Sequence, residues 1–381
     1  MPRTGNKAFQ ALCRYLRANA ASAAGVNDDM GRGEPPWLEV VAEANGQYLG
    51  PALWCALEAS GDADQLPADV REFLEESARL NLLRNETIRA QCVELLEALE
   101  AIGVQPILLK GGAQLFMGDM ALRARMMVDL DVLVRPAALA SAAEVAANLG
   151  YRIVHEHEDW HHDYHILGRG SGEAALEFHR TVGQQRHIVS LDKAYGDACR
   201  LPLGDNAVFV LSPTDRVLHN IFHAAIQDRA HHLGRIPLRA LHDLGLIRAQ
   251  CAEEDIDWGH IQRTLGVAGY GNVLSAYLYM AQVFLGQSVP SGIEPGLSAH
   301  LHLLRCRVLR RSRILRRAMD LWATITHPFG RAHYEYLYGE APNDLALLWG
   351  RLKLAGHILT KHRHKLLAKL LTEYRKLYRS G

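Results

Sequence analysis

Two aspartates set inside an apolar run constrain this chain more than any other feature. The stretch from Ile107 to Val134 reads ILLKGGAQLFMGDMALRARMMVDLDVLV, and near its end Asp129-Leu130-Asp131 is flanked by Val128, Val132, Leu133 and Val134. In a strand, residues i and i+2 share a face, so Asp129 and Asp131 project together while Leu130 and Val132 enter a core. Two carboxylates on one face of a buried strand are costly unless something positive sits between them. A divalent cation is the simplest answer. Mg²⁺ is usually held by one or two carboxylates plus substrate phosphates, which is what such a pair offers.

Upstream, Ile107-Leu108-Leu109 leads into Lys110 and Gly111-Gly112. Pro106 and the glycines bound this run, so residues 107–110 are expected to form a short buried strand. A glycine pair at a strand-to-helix turn permits positive φ and close approach of a ligand to the backbone. The N–H groups of the following helix would face an anion, with Lys110 adding a point charge. Glu177, alone on the apolar run Ala174–His179, is the candidate third carboxylate, bridging metals or taking a proton from an attacking hydroxyl. Asp163 and Glu173 are its possible substitutes. Two Mg²⁺ ions ~4 Å apart would stabilise the entering and leaving oxygens of a displacement at phosphorus.

The surrounding pattern predicts α+β architecture, a small α/β core between helical flanks. Helices are expected over 8–24, 37–59 and 67–102, the last with Val70, Phe73, Leu74, Leu80, Leu83, Ile88, Leu95, Leu96 and Leu99 at helical spacing and Gly103 as its terminator. Strands are expected at 107–110, 128–134, Tyr151–His155 and Ala174–His179, with a helix from Ala137 to Leu149 closed by Gly150. Ser212-Pro213-Thr214-Asp215 marks a helix start. Helical segments follow at 215–228, 237–250, 257–265, 272–286, 297–325 and 343–379. The expected division is 1–100 helical, 101–205 α/β core, and 206–381 helical with a basic tail.

The charge is balanced, 42 basic against 42 acidic residues, but unevenly spread. Residues 28–100 are acidic, whereas 305–317 holds seven arginines and 351–379 is strongly basic. The basic end could bind RNA phosphates or lie on a membrane, but its helical apolar spacing favours packing on the acidic N-terminal helices. Six cysteines, without C-x-x-C spacing, point to buried thiols in a reducing compartment. No run approaches the ~18 apolar residues of a membrane span, and no secretion signal is evident, so a cytoplasmic location is expected. The cluster His155, His157, His161, His162 and His165 has enough imidazole for zinc but reads better as a solvated lip of the cleft. His179 would share the face of Glu177. His219 and His223, four apart on a helix, are expected to pack at an interface.

Lys110-Gly111-Gly112, then Arg125, then Asp129-Leu130-Asp131-Val132-Leu133-Val134 resemble the L-K-G … R-x-x-x-D-x-D-x-L-V signature of a bacterial nucleotidyltransferase-like family in the DNA polymerase beta-like superfamily. The likeness spans roughly residues 75–250, through Ala175–His179, His219 and His223, and Leu241-His242-Asp243-Leu244. Gly-Gly stands here where many members of the superfamily have Gly-Ser. The resemblance implies a nucleotidyltransferase core with Asp129 and Asp131 holding Mg²⁺ (or Mn²⁺) and Gly111-Gly112 holding the triphosphate of an NTP such as ATP. Arg125 either contacts phosphate or pairs with an aspartate to hold the loop. The expected reaction transfers a nucleoside monophosphate to a hydroxyl of an acceptor, with a small molecule, peptide or protein favoured over RNA. The alternatives are a non-catalytic nucleotide-binding module on the same fold and an RNA-end modifying enzyme.

Overall fold

The computed structural model describes residues 4–17, 35–155, 166–170, 172–183, 188–204 and 206–326. Met1–Ser312 forms one compact unit and Arg313–Gly381 a second. The basic segment 351–379 and four of the five clustered histidines, 157 to 165, lie outside the described residues, as does Asp163.

Helix α1 covers Thr4–Arg17. The helix expected over 37–59 is two, α2 (Trp37–Gly46) and α3 (Gly50–Ser60). Tyr48, at φ 58°, breaks the chain direction between them, and Pro51 sits in the first turn of α3. The long helix α4 (Ala68–Glu100) ends as anticipated: Gly103 takes φ 71° and Val104 N–H reaches back to the Leu99 carbonyl. Its buried stripe differs from the one expected. Phe73, Leu80 and Leu83 are half-exposed, while Asn81, Asn85 and Gln91 are buried.

After α4 come β1 (Ile107–Leu108), α5 (Lys110–Gln114), α6 (Asp119–Ala124) and β2 (Asp129–Leu133). Then follow α7 (Leu139–Asn148), β3 (Arg152–His155), β4 (Ile166–Gly168), β5 (Ala175–His179) and α8 (Leu191–Gly196). The hairpin β6 (Cys199–Leu203) and β7 (Asn206–Val210) completes a seven-stranded mixed sheet of order β3-β4-β5-β2-β1-β7-β6. Strands β4, β6 and β7 were not foreseen. Pro202 in β6 is tolerated because β6 is an edge strand.

The sheet has two unlike faces. Leu108, Leu130, Val132, Leu176, Phe178, Val208 and Val210 pack on Ile88, Cys92, Leu95 and Leu99 of α4 and on Ala142 and Ala146 of α7. Each such side chain contributes roughly 1.5–3 kcal/mol when fully buried. On the opposite face, Ile107, Leu109 and Leu133 join a second core shared with α1–α3 and the helices that follow the sheet.

Those helices begin at α9 (Pro213–Ile221), where Ser212 Oγ accepts from Asp215 N–H as the sequence suggested. A π-helical turn, Phe222–Gln227, extends it. Next are α10 (Ala230–Leu233), α11 (Leu238–Ala249), α12 (Trp258–Val267), α13 (Gly271–Leu285) and α14 (Leu297–Arg311). The helix expected over 297–325 breaks at Ser312, and α15 (Arg313–Thr326) belongs to the second unit. Within the arginine cluster, Arg310 pairs with Glu43 of α2 at 2.7 Å and lies 3.9 Å from the Phe9 ring centroid. All six cysteines are free thiols, four of them buried. No helix among the described residues is long and apolar enough to cross a membrane.

Candidate active site

Strand alternation delivers the expected carboxylates to one face. Strands β2 and β5 run parallel with Asp131 opposite Glu177 and Leu133 opposite His179, so three functional side chains converge beside the second core. Asp131, Glu177 and His179 each offer one ligand atom, and these atoms lie within 4.8 Å of one another. Asp131 is fully buried, whereas Glu177 and His179 remain about one-fifth exposed. Asp129, two residues earlier on the same face, is half-buried and lines an adjoining cavity rather than joining the cluster.

Asp131 Oδ1 lies 2.7 Å from both the Lys110 ammonium and His179 Nε2. Burial works against its charge, but the bond from His179 and the ammonium of Lys110 outweigh it and hold the carboxyl far below its ordinary range. Its other oxygen, Oδ2, is buried with no hydrogen-bond partner among the described residues. An orphaned carboxylate oxygen beside a second carboxylate and an imidazole is what a divalent cation would satisfy, so these residues fit one. Glu177 is shifted the other way, raised by burial and then by the Asp131 charge. Two acids on neighbouring strands therefore hold protons with very different strength.

Lys110 and the glycines have a different backbone from the one expected. Lys110 opens α5 rather than closing a strand, and it is Lys110 that takes positive φ, 42°. Gly111 and Gly112 are buried within the helix and neither has positive φ. A Cβ at Gly111 would land on Arg125 Nη1 and Met127 Sδ, and one at Gly112 would approach Leu130 Cδ1 to 3.1 Å. The pair thus lets α5 lie close on β2, and through that contact it sets Lys110 over the acids. Arg125 forms a two-pronged pair with Asp243 of α11 at 3.1–3.2 Å, which ties the approach to β2 to the C-terminal helices. Glu173 pairs with Arg169 at 2.7 Å and is turned to a structural use.

The approach to β2 is also held from α4. Asn85 Nδ2 donates to the carbonyls of Leu122 and Arg125, both at 2.7 Å, and Asn81 Nδ2 donates to Arg123 at 2.9 Å. Arg84 reaches the Met127 carbonyl, and Arg239 of α11 reaches that of Met126 at 2.7 Å. Farther along α4, Gln91 bonds both the N–H and the carbonyl of Ala174, immediately before β5, at 2.9 Å. Sequence reading missed this ladder. The signal was there: asparagines at 81 and 85 fall on the same stripe as Leu74, Ala78, Ile88 and Cys92.

The cavity beside Asp129 has a volume of about 410 Å³ and is walled by the sheet, the α2–α3 corner and α9–α11. Lys110, Arg125, Arg216, Arg239 and His219 line it with Asp129 and Asp243. His219 is buried, and that burial pushes the proton affinity of its imidazole well down. His223 packs edge-on against it, ring centroids 6.0 Å apart, also on the cavity wall.

The mixed sheet thus brings two acids and a histidine that could hold a metal ion together, next to a cavity lined by Lys110, Arg125, Arg216 and Arg239. A model of the uncharacterised nucleotidyltransferase family matches residues 33–286, and the chain belongs to that family. None of the curated proteins compared with the chain matches it.

Proposed function

We propose that this protein is a metal-dependent nucleotidyltransferase of the polymerase beta-like kind, moving a nucleoside monophosphate from an NTP to a hydroxyl acceptor and releasing pyrophosphate. The observation that carries this reading is the convergence of Asp131, Glu177 and His179, with one buried Asp131 oxygen unpartnered. Asp131, Glu177 and His179 would hold the divalent ion, with Asp129 placed toward a second. Bound there, Mg²⁺ or Mn²⁺ would polarise the phosphoryl oxygens and offset charge as it develops. The nitrogen donor of His179 suits Mn²⁺ better than Mg²⁺.

The chain's own groups supply the rest. Lys110 is set by its positive φ to balance the Asp131 charge and to meet phosphate at the mouth of the cavity. Glu177, held at raised proton affinity, is suited to take the proton from the attacking hydroxyl. The helical flanks wall the cavity against water and shape the acceptor site. Gly111 and Gly112 bear on the triphosphate through the placement of Lys110, and Arg125 through its hold on the loop before Asp129.

Incubation with α-labelled NTPs and Mg²⁺ or Mn²⁺ across small-molecule, peptide, protein and RNA acceptors tests the proposal, with the Asp129→Asn, Asp131→Asn double variant as control. Label transferred by the native chain and not by the double variant is the expected result. Saturable metal-dependent NTP binding with no transfer to any acceptor would instead identify a non-catalytic nucleotide-binding module.

A further inference from the structure

Arg216 is a buried cation used neither by the metal-ligating group nor by the packing of the sheet. It lies in the first turn of α9, 7% exposed, and lines the same cavity as Asp129 and Lys110. Among the described residues its one hydrogen-bond partner is the neutral amide oxygen of Gln250, and no carboxylate pairs with it. The adjacent Asp215 turns to Lys193 instead, at 3.2 Å. Arg125, on the same cavity, has Asp243. Burial without an opposing charge pushes the Arg216 guanidinium down to about 10.

A guanidinium offers five donors in a planar fork matched to carboxylate and phosphate. Leaving it desolvated and uncompensated is strongly unfavourable, so a fold that keeps one facing a cavity has an anion seat. This seat is also oriented. Gln250, which holds the guanidinium, donates in turn to Gln114 Oε1 at 2.6 Å. Gln114 lies one turn along α5 from Lys110, a rise of about 6 Å. The seat is therefore set back from the acids, on the side walled by α9 and α11, where an acceptor would enter.

We infer that Arg216 binds the anionic group of the acceptor, which is a small hydroxyl compound carrying a carboxylate or a phosphate. The acceptor's role rests on the proposed transferase reading, whereas the anion seat itself does not. The anion docks on the guanidinium and the rest of the same molecule extends along the cavity toward Lys110 and Asp129.

Calorimetric titration of the full chain with inorganic phosphate, in the presence of Mg²⁺ and a saturating non-hydrolysable α,β-methylene NTP, tests this. Phosphate is expected to bind and to raise Tm. Arg216→Gln should weaken phosphate at least ~10-fold while leaving affinity for the NTP analogue within about twofold. Arg216→Lys should restore part of the phosphate binding. Without anion, Arg216→Gln should melt at or above the native Tm, because an unpaired buried charge has been removed. Failure of the native chain to bind phosphate, or equal phosphate affinity in Arg216→Gln, would overturn the inference. So would competition between phosphate and the NTP analogue, which gives the seat to the nucleotide, or a lowered Tm without anion, which makes Arg216 structural. Arg216-dependent phosphate binding with no transfer from any NTP leaves the seat standing and removes the transferase reading alone.

Discussion

Leu130, Val132, Leu176 and Phe178 face α4 and α7 across an apolar layer, while their chain neighbours Asp129, Asp131, Glu177 and His179 face the other way, Asp129 onto the cavity. Both surfaces come from the same alternation of side chains in β2 and β5. The apolar surface gains stability from every residue placed on it. The polar surface instead gathers a carboxylate with an oxygen unpartnered among the described residues and another whose charge is disfavoured. Stability and chemistry are thus separated by a single residue step, and substitutions one position apart should report on different properties.

The largest separation is expected at Asp131. Asp131→Asn should slow nucleotidyl transfer about 10³-fold or more, equivalent to about 4 kcal/mol of barrier, and weaken Mn²⁺ affinity measured by calorimetry. Transfer surviving within tenfold would show that the polar face is not the reacting one. On the other surface, Phe178→Ala should cost about 3–5 kcal/mol in denaturant unfolding, with turnover per folded molecule largely retained. Equal loss of turnover in the folded fraction would blur the two faces. A smaller effect should follow from Asn85→Ala, about 1–3 kcal/mol, because the buried Leu122 carbonyl loses its side-chain donor and that of Arg125 keeps only Asn81 at 3.3 Å. Both stability and turnover should fall here, since the loop it holds leads directly into Asp129.

The smallest effect is one of sign. Glu177 has a raised pKa, so its charge burdens the fold above that pKa and the burden fades as pH falls through it. Glu177→Gln should therefore raise Tm at neutral pH, with the gain vanishing in acid as the native carboxyl protonates. Asp131, with a depressed pKa, stabilises the fold above its unfolded value of 3.8 and loses that contribution only as pH falls below it. A melting curve for Glu177→Gln that lies below the native one at pH 7 would contradict the assigned environment.

The paired aspartates, Glu177 and His179 were legible because strand alternation is local: residues two apart must share a face wherever the strand lies. Gly103, Gly150 and Ser212 were legible for the same reason, since helix ends are written in a few adjacent residues. Arg216, Asp243 and Arg239 were not singled out for the cavity, because they come from helices more than eighty residues beyond the aspartates and no periodicity states which faces converge. The buried amides of α4 were overlooked for a different reason. Asn81 and Asn85 count as breaks in an apolar pattern, whereas in the fold they occupy core positions and satisfy backbone groups there. The glycine pair misled because its composition suggests a flexible corner, while the structure uses its missing side chains for close packing and places the positive φ at Lys110.

Helix α4 grips the residues just ahead of both β2 and β5, through Asn81, Arg84 and Asn85 at one end and Gln91 at the other. One rigid rod therefore works as a gauge for how far each strand is fed forward before its acid appears. Lengthening that rod by a single residue between Asn85 and Gln91 would rotate the two grips by about 100° relative to each other. The two strands would then lose their common zero, although Asp131, Glu177 and His179 would all still be present in the chain.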